Sequence, residues 1–394
     1  MKTIASLALR EFGYIRRNKK IFLVMCFMPL LYLFLFGYMY SPHVVNQIPT
    51  VILDFAQTET SRTIVQGFQD TDRFKIIAEV GTEQEVQEMI DSRQAVAGVV
   101  IPEDLDQSLK KRQGSEVLIM VNGTNMMYSN SVVSSANEIV ATISAGISMK
   151  TLGAVQGAAQ DAVRGEAIPL SFRTKILYNP TYNYANFLLL GLMGTAIQQM
   201  VFMYVAISFC REKEQKLFPA LLEQYSVVQI IAAKVISYLL INMFSMNLVL
   251  SMCILFYKIP FRGSLLALEL LFGAFILAVS GLGILLSLIC KGELEATQYA
   301  MLVAVPSFLF SGFTWPLSSM HGLAWVLNRI LPLTYLVNDV RDIALMGIGL
   351  EEVCPSILVL AAIAAVLIPV SGLLVKLQGS RYSSQNTLKM ENSL

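Results

Sequence analysis

SGFTWPLSSMHGLAWVLNRILPLTYLVNDVRDIALMG, residues 311–347, is an apolar stretch too interrupted to be one plain spanning helix. Trp315-Pro316 is expected to stop the helix arriving from Tyr299, because proline lacks a backbone donor and its ring disfavours helix in the residue before it. Leu331-Pro332 breaks the chain a second time. Between and after the breaks, two short amphipathic pieces carry Trp325, Asn328, Arg329, Tyr335, Asn338, Asp339, Arg341 and Asp342 among Leu, Ile and Val. Such pieces suit the membrane interface or a half-buried re-entrant hairpin. Irregular backbone at membrane depth is tolerated only where protein or a water-filled cavity satisfies it. The segment 314–347 is therefore expected to line something, with Trp315, Pro316, Pro332, Tyr335, Asp339 and Arg341 as its candidate site residues.

The surrounding composition is that of a polytopic membrane protein. Of 394 residues, 55% are hydrophobic and 14% charged, and mean hydropathy is +0.59, more apolar surface than a soluble domain needs. A net charge of +1 leaves no basic excess for nucleic acid, whose binding requires Lys and Arg to neutralise phosphates. The five cysteines, Cys26, Cys210, Cys253, Cys290 and Cys354, lie in or beside hydrophobic runs, and none falls within 41–182, so no disulfide framework is built there.

From the amino terminus, residues 1–20 read as an amphipathic helix with Ile4, Leu7, Ala8 and Phe12 on one face, expected to lie on the cytoplasmic surface. Residues 21–40 are long enough to cross a hydrocarbon core of about 30 Å. They lack a small-x-small cleavage site, which favours an uncleaved first span over a signal peptide. Residues 41–182 change to soluble-domain composition. Apolar runs at 49–53, 74–78, 95–101 and 117–121 alternate with helical stretches at 58–69, 82–91 and 103–111, and Thr82 followed by Glu85 fits a capping box. This alternation predicts a small α/β domain with a largely parallel sheet. A longer helical segment, 130–164, either packs on that sheet or forms a stalk. Five further spans are predicted at 185–209, 230–256, 265–290, 299–313 and 357–375, within a membrane domain of 183–377, followed by a tail at 378–394. The fold expected is thus an α-helical polytopic membrane protein with six transmembrane helices and a large external α/β domain between the first and second.

Charge sets the orientation. With the amino terminus inside, fourteen Lys and Arg of the termini and short loops fall on the cytoplasmic side, against Lys258, Arg262, Arg329 and Arg341 outside. That asymmetry follows the positive-inside rule and puts both termini in the cytoplasm. Glu269, in an apolar run but near its outer end, reads as an interfacial carboxylate, with a proton relay as the alternative. Asp339, Arg341 and Asp342 are close enough on one helix for local pairing. Gly281 and Gly283, with Ser280 and Ser287, form a small-residue face for close helix packing.

The order Ser-Gly-Phe, Trp-Pro, Ser-Ser-Met, Leu-Pro-Leu-Thr-Tyr, Arg-Asp-Ile-Ala-Leu and Met-Gly, before one last hydrophobic helix, resembles the end of the ABC-2 type permeases, membrane subunits of ATP-driven exporters. The likeness runs along the whole chain. In that family the loop between the second and third spans begins with Arg-Glu-x-Glu and forms a coupling helix that rests on the ATPase. Arg211, Glu212 and Glu214 occupy the motif positions in FCREKEQKLFPALLEQYSVVQ, residues 209–229, and the coupling loop is set at 210–229. Without the resemblance, the loop reads as a solvated connection carrying positive-inside lysines. Where the family continues with Gly-Thr and another Glu, this chain has Lys216, Leu217 and Pro219, so the helix is expected to end or bend at Pro219.

The resemblance implies a permease of a bacterial inner membrane, exporting an amphipathic or hydrophobic substrate whose identity, drug, lipid, peptide or polysaccharide, it does not name. It also implies an ABC-type ATPase partner carrying the ATP and Mg, a second permease, identical or paralogous, and the lipid bilayer, with no cofactor on this chain. No P-loop, HExxH, GxSxG or strand-borne GxGxxG is present, and His43 and His321 stand far apart. These absences argue against an enzyme on this chain. The competing reading is a membrane-anchored receptor or assembly scaffold that uses the external domain. The charged loop and the broken segment argue against it, because a simple anchor needs neither.

Overall fold

The computed structural model describes residues 2–40, 45–111, 115–156, 177–179 and 183–391. It divides into two compact units, Met1–His43 with Ile176–Leu394, and Val44–Lys175. His43 and residues 157–164 of the predicted long helix lie outside the described residues.

The chain opens with α1 (Lys2–Arg17) and α2 (Lys19–Met39). The buried stripe of α1 is Leu7, Glu11 and Ile15, spaced at four residues, while Leu9 and Phe12 are exposed. The packed face is therefore rotated from the expected Ile4, Leu7, Ala8 and Phe12 face, because Glu11 has ionic partners that draw it inward.

The second unit is an α/β layer. Its elements are β1 (Ile48–Asp54), α3 (Glu59–Gln69), β2 (Phe74–Glu79), α4 (Glu83–Asp91), β3 (Ala97–Ile101), α5 (Leu105–Lys110), β4 (Leu118–Val121) and α6 (Met126–Gln156). The strands lie in the order β2-β1-β3-β4. β1 pairs in parallel with β2 and β3, and β4 closes one edge antiparallel to β3. Alternation along β1 sends Ile48 and Ile52 into one core with Phe68, Phe74 and Ala136, and Val51 and Leu53 into another with Val86 and Ile90. Burial of both faces is why the central strands are nearly all apolar. Val132 and Ala136 of α6 join the first core, so the long helix packs on the sheet within its described part. Thr58 and Ser61 form a full capping box at α3. Thr82 caps α4, whose Glu85 side chain reaches the Gly81 N–H instead of that of Thr82.

The first unit resumes with α7 (Tyr184–Glu214), α8 (Phe218–Gln224), α9 (Val227–Tyr257), α10 (Leu265–Ile289), α11 (Glu293–Leu309), α12 (Leu323–Ile330), α13 (Pro332–Met346) and α14 (Leu350–Glu391). Among the described residues, α2, α7, α9, α10 and α14 contain stretches long and apolar enough to cross a membrane. The predicted span 299–313 corresponds to α11, which has 17 residues and Pro306 inside it. At 1.5 Å per residue it is about 25 Å long, short for a hydrocarbon core. α7 and α10 form the centre, while Leu35, Phe244 and Leu358 on α2, α9 and α14 are exposed, as suits a surface solvated by lipid. A Cβ at Gly281 would stand 2.9 Å from Leu367, and one at Gly283 would stand 2.9 Å from Val205. The small face of α10 is thus where α14 and α7 approach.

Four boundaries differ from expectation. α7 runs to Glu214, so Cys210–Glu214 is helix and not loop. Pro219 starts α8 instead of ending a helix, because proline is favoured in the first turn, where its missing donor has no partner to lose. α11 ends at Leu309, well before Trp315. Gly312, at φ +86°, turns the chain there in a region an L side chain seldom adopts, and Ser311 Oγ donates to the Phe308 carbonyl at 2.7 Å. The helical continuation of α14 through Glu391 also takes in most of the predicted tail.

Candidate functional site

The carboxyl-terminal end of α7 meets α1 and α9 through buried charges. Arg211 donates to Glu11 Oε1 at 3.0 Å and Oε2 at 3.3 Å, and its guanidinium lies 3.6 Å from the Tyr14 ring centroid. Lys234 donates to Glu212 Oε1 at 2.9 Å and stands 3.6 Å from Glu11 Oε1. Tyr238 donates to Glu11 Oε1 at 3.0 Å. Two carboxylates thus face two cations with side chains no more than 6% exposed, and exposed Arg10 stands 3.9 Å from Glu212. Burial alone would push the Glu11 carboxyl up, but the Lys234 and Arg211 charges and the hydrogen bonds from Arg211 and Tyr238 outweigh it and hold Glu11 at about 2.

The neighbouring residues tie the same corner to α10 and α11. Ser287 Oγ accepts from the Phe209 N–H at 2.8 Å, and Lys213 donates to the Leu288 carbonyl at 2.8 Å. Glu214 Oε1 accepts from the Glu293 N–H at 3.0 Å and so caps the start of α11. Of the three motif residues, Arg211 and Glu212 are buried and Glu214 is exposed. Each bonds a different element: α1, α9 and α11. α8 follows directly, anchored by Phe218 and Leu221, with the Phe218 ring edge-on to Phe209 at 5.9 Å. Lys216, Leu217, Ala220, Glu223 and Gln224 stay exposed around it.

The second site lies in the broken segment. α12 and α13 meet at Leu331-Pro332, with Pro332 opening α13. Against the start of α14 they enclose a pocket of about 780 Å³ whose lining includes Trp325, Asn328, Arg329, Thr334, Tyr335 and Asp339. Tyr335 donates its hydroxyl to the Arg329 carbonyl at 2.8 Å, and the Arg329 guanidinium lies 3.6 Å from the Trp325 ring centroid. Asn338 donates to the Ser311 carbonyl at 2.9 Å, fastening α13 to the end of α11. Burial pushes the Asp339 carboxyl up to about 6, with Ser356 pulling it down and Asp342 adding to the rise.

Of the candidates named from the sequence, Tyr335 and Asp339 line this pocket and Pro332 shapes it. Trp315 and Pro316 are exposed and are not among its lining residues. Arg341 also stands apart from the lining, donating to Asn338 Oδ1 at 3.1 Å, 3.8 Å from Asp342, and 5.3 Å from the Phe187 ring centroid. Glu269, part-buried, accepts from Asn247 at 3.2 Å. Glu11, Lys234 and Tyr238 join the cluster without belonging to any motif in the sequence. Their signal is a polar residue repeating within an apolar stripe, Leu7-Glu11-Ile15 on α1 and Ile230-Lys234-Tyr238 on α9, with all six buried.

A family model described as "ABC-2 family transporter protein" matches residues 19–373. The probable multidrug ABC transporter permease YbhS of Escherichia coli strain K12 is 23% identical over 358 residues, covering 88% of this chain and 89% of that protein. The probable multidrug ABC transporter permease YbhR of the same strain is 25% identical over 324 residues, covering 82% and 84%. The inner membrane transport permease YhhJ of that strain is 23% identical over 329 residues, covering 82% and 83%.

Proposed function

The chain belongs to the ABC-2 family of transporter permeases, and from that premise we propose that it exports an amphipathic or hydrophobic substrate across a bacterial inner membrane. A separate ATPase, holding ATP and Mg, supplies the energy, and a second permease completes the pathway. The relatives named as multidrug permeases support a small amphipathic substrate. In this reading α11 joins the five longer helices as a sixth span, the α/β unit lies outside, and both termini are cytoplasmic.

The observation that carries the mechanism is the buried Glu11–Arg211–Glu212–Lys234 cluster immediately before α8. A short helix can deliver force only if its base is stiff. Paired charges in a low-dielectric corner, each bonded across elements, provide such stiffness. α8 and its N-cap offer the exposed Leu217, Glu223 and Gln224 to the ATPase, while Arg211, Glu212 and Glu214 transmit its displacement to α1, α9 and α11. The motif thus acts as a positioning unit behind the contact helix.

The test is reconstitution with the ATPase and measurement of substrate-stimulated hydrolysis. Leu217→Asp with Glu223→Lys is expected to abolish co-purification while leaving the thermal transition of the permease unchanged, since exposed substitutions cost little stability. Normal coupling in that variant would remove α8 from the contact, and failure to recover any ATPase would favour the receptor reading. For orientation, Gln69→Cys and Lys111→Cys, both at exposed positions, should react with an impermeant thiol reagent on spheroplasts. Labelling only after membrane rupture would invert the topology.

A further inference from the structure

The pocket under the broken segment has a polarity that its own residues do not satisfy. Thr334, 5% exposed, and Asp339 both belong to its lining; Ser356 stands against the Asp339 carboxyl, while the Thr334 hydroxyl and Asp339 Oδ2 are buried without a hydrogen-bond partner among the described residues. Both unpaired atoms are oxygens. A buried acceptor without a donor is costly, and an N–H or a cation is the partner that relieves it. Neither nearby arginine fills it. Arg341 is engaged by Asn338 and Asp342, and Arg329 is exposed and stacked on Trp325. No Lys, Arg or His stands within 4.0 Å of the Asp339 carboxylate among the described residues, whereas Glu11 and Glu212 in the same unit both have cationic partners.

The rest of the lining is mixed, with apolar surface beside the polar side chains of Ser318, His321, Asn328, Arg329, Asn338 and Ser356. Leu317, Met320 and the Tyr335 ring share the pocket with the polar atoms, and about 780 Å³ falls in the size range of sites for drug-sized molecules. We infer that this pocket binds the protonated amine of an amphipathic organic cation, with the Asp339 carboxylate as counter-charge and Leu317, Met320 and Tyr335 against the apolar part. The inference rests on the exporter reading only in making this ligand a substrate. The groups facing Asp339 are Asp342 and Arg341 on its own helix, Arg329 on α12, His321 before α12, Tyr335, and Ser356 on α14.

The experiment uses the full chain in nanodiscs, without ATPase, and a fluorescent primary alkylamine as probe, with its N-acetyl and sulfonate counterparts as neutral and anionic controls. The amine is expected to bind saturably and the controls at least tenfold more weakly. Asp339→Asn should weaken the amine at least tenfold at pH 7.5, while Asp339→Glu stays within about threefold of wild type. Because the Asp339 carboxyl titrates near 6, affinity of the unmutated protein should fall roughly tenfold between pH 7.5 and pH 5. His321→Gln should leave that profile in place. Equal binding by Asp339→Asn, preference for the neutral or anionic probe, or a flat pH profile in wild type would each overturn the site, and the last needs no variant to fold. Export of the amine that ignores Asp339 sinks the site and leaves the transporter. Binding at Asp339 without ATP-driven export does the reverse.

Discussion

Two regions of the membrane unit bury ionisable side chains and treat them in opposite ways. At the end of α7, Glu11, Arg211, Glu212 and Lys234 neutralise one another across three helices, and Glu11 is held at about 2. Beneath α12 and α13, Asp339 has no cation within ion-pair distance among the described residues, and burial lifts it to about 6. A closed set of charges resists separation and suits a joint that must move as one piece. An open carboxylate leaves stability unclaimed, and a visiting cation can claim it.

The sharpest way to break this contrast is Glu11→Gln, which leaves two cations facing one carboxylate. It should cost about 3–5 kcal/mol in chemical unfolding of the full chain in nanodiscs, the range for breaking a buried pair, and adding Lys234→Met should restore part of the loss. Because the Glu11 pKa falls from 4.5 to about 2 on folding, its contribution is present above pH 4.5 and disappears as pH drops through 2. A loss below about 1 kcal/mol in the single variant would make the cluster incidental.

Next in size, Gly312→Ala should destabilise the hairpin by roughly 1–3 kcal/mol. An added Cβ would sit in the left-handed region, 2.6 Å from Leu317 Cγ. The exposed Pro316→Ala should change stability by less than about 0.5 kcal/mol. The reverse ranking would return the turn to Trp315-Pro316.

Asp339→Asn tests the other side of the contrast and carries the opposite sign. A carboxyl raised from 3.8 to about 6 contributes stability below pH 3.8 that is lost as pH rises through 6. At pH 7.5 the amide variant should therefore be more stable by on the order of 1–2 kcal/mol, a figure reduced from the full shift because the group is partly solvated. The advantage should vanish near pH 4, as read from thermal transitions across pH. A destabilised variant at pH 7.5 would mean the carboxylate is already satisfied.

The smallest effect expected is that of Glu214→Ala, which removes a cap from α11 and should cost about 1 kcal/mol. Hydrogen exchange at the first turn of α11 is the direct measurement. Unchanged protection there would assign Glu214 to the partner surface alone.

Much of the architecture is legible locally. β1 to β4 announce themselves as short apolar runs separated by amphipathic stretches, and Pro332 marks the start of α13 because its fixed φ and missing donor suit a first turn. Other readings failed for the same local reason. Pro316 drew attention as a helix stop, although the turn is made earlier by Gly312, whose positive φ has no signature in composition. Pro219 looked like a terminus and is a beginning. In the hairpin pocket, Tyr335 and Asp339 stood out as polar residues in an apolar stretch, whereas Thr334 and Ser356 did not, since neither is unusual until neighbouring helices shut out water around it.

The sequence by itself determined the membrane class, the α/β insertion, the break at Leu331-Pro332, and the transporter family. Only the tertiary structure decided which charges meet. Arg211 finds Glu11 across 200 residues of chain, and Tyr238 finds it across 227. Helix propensity and hydrophobic period act over a turn or two. Whether a carboxylate is neutralised or left open depends on distances of about 3 Å between separate helices, and those distances exist only once the helices have packed.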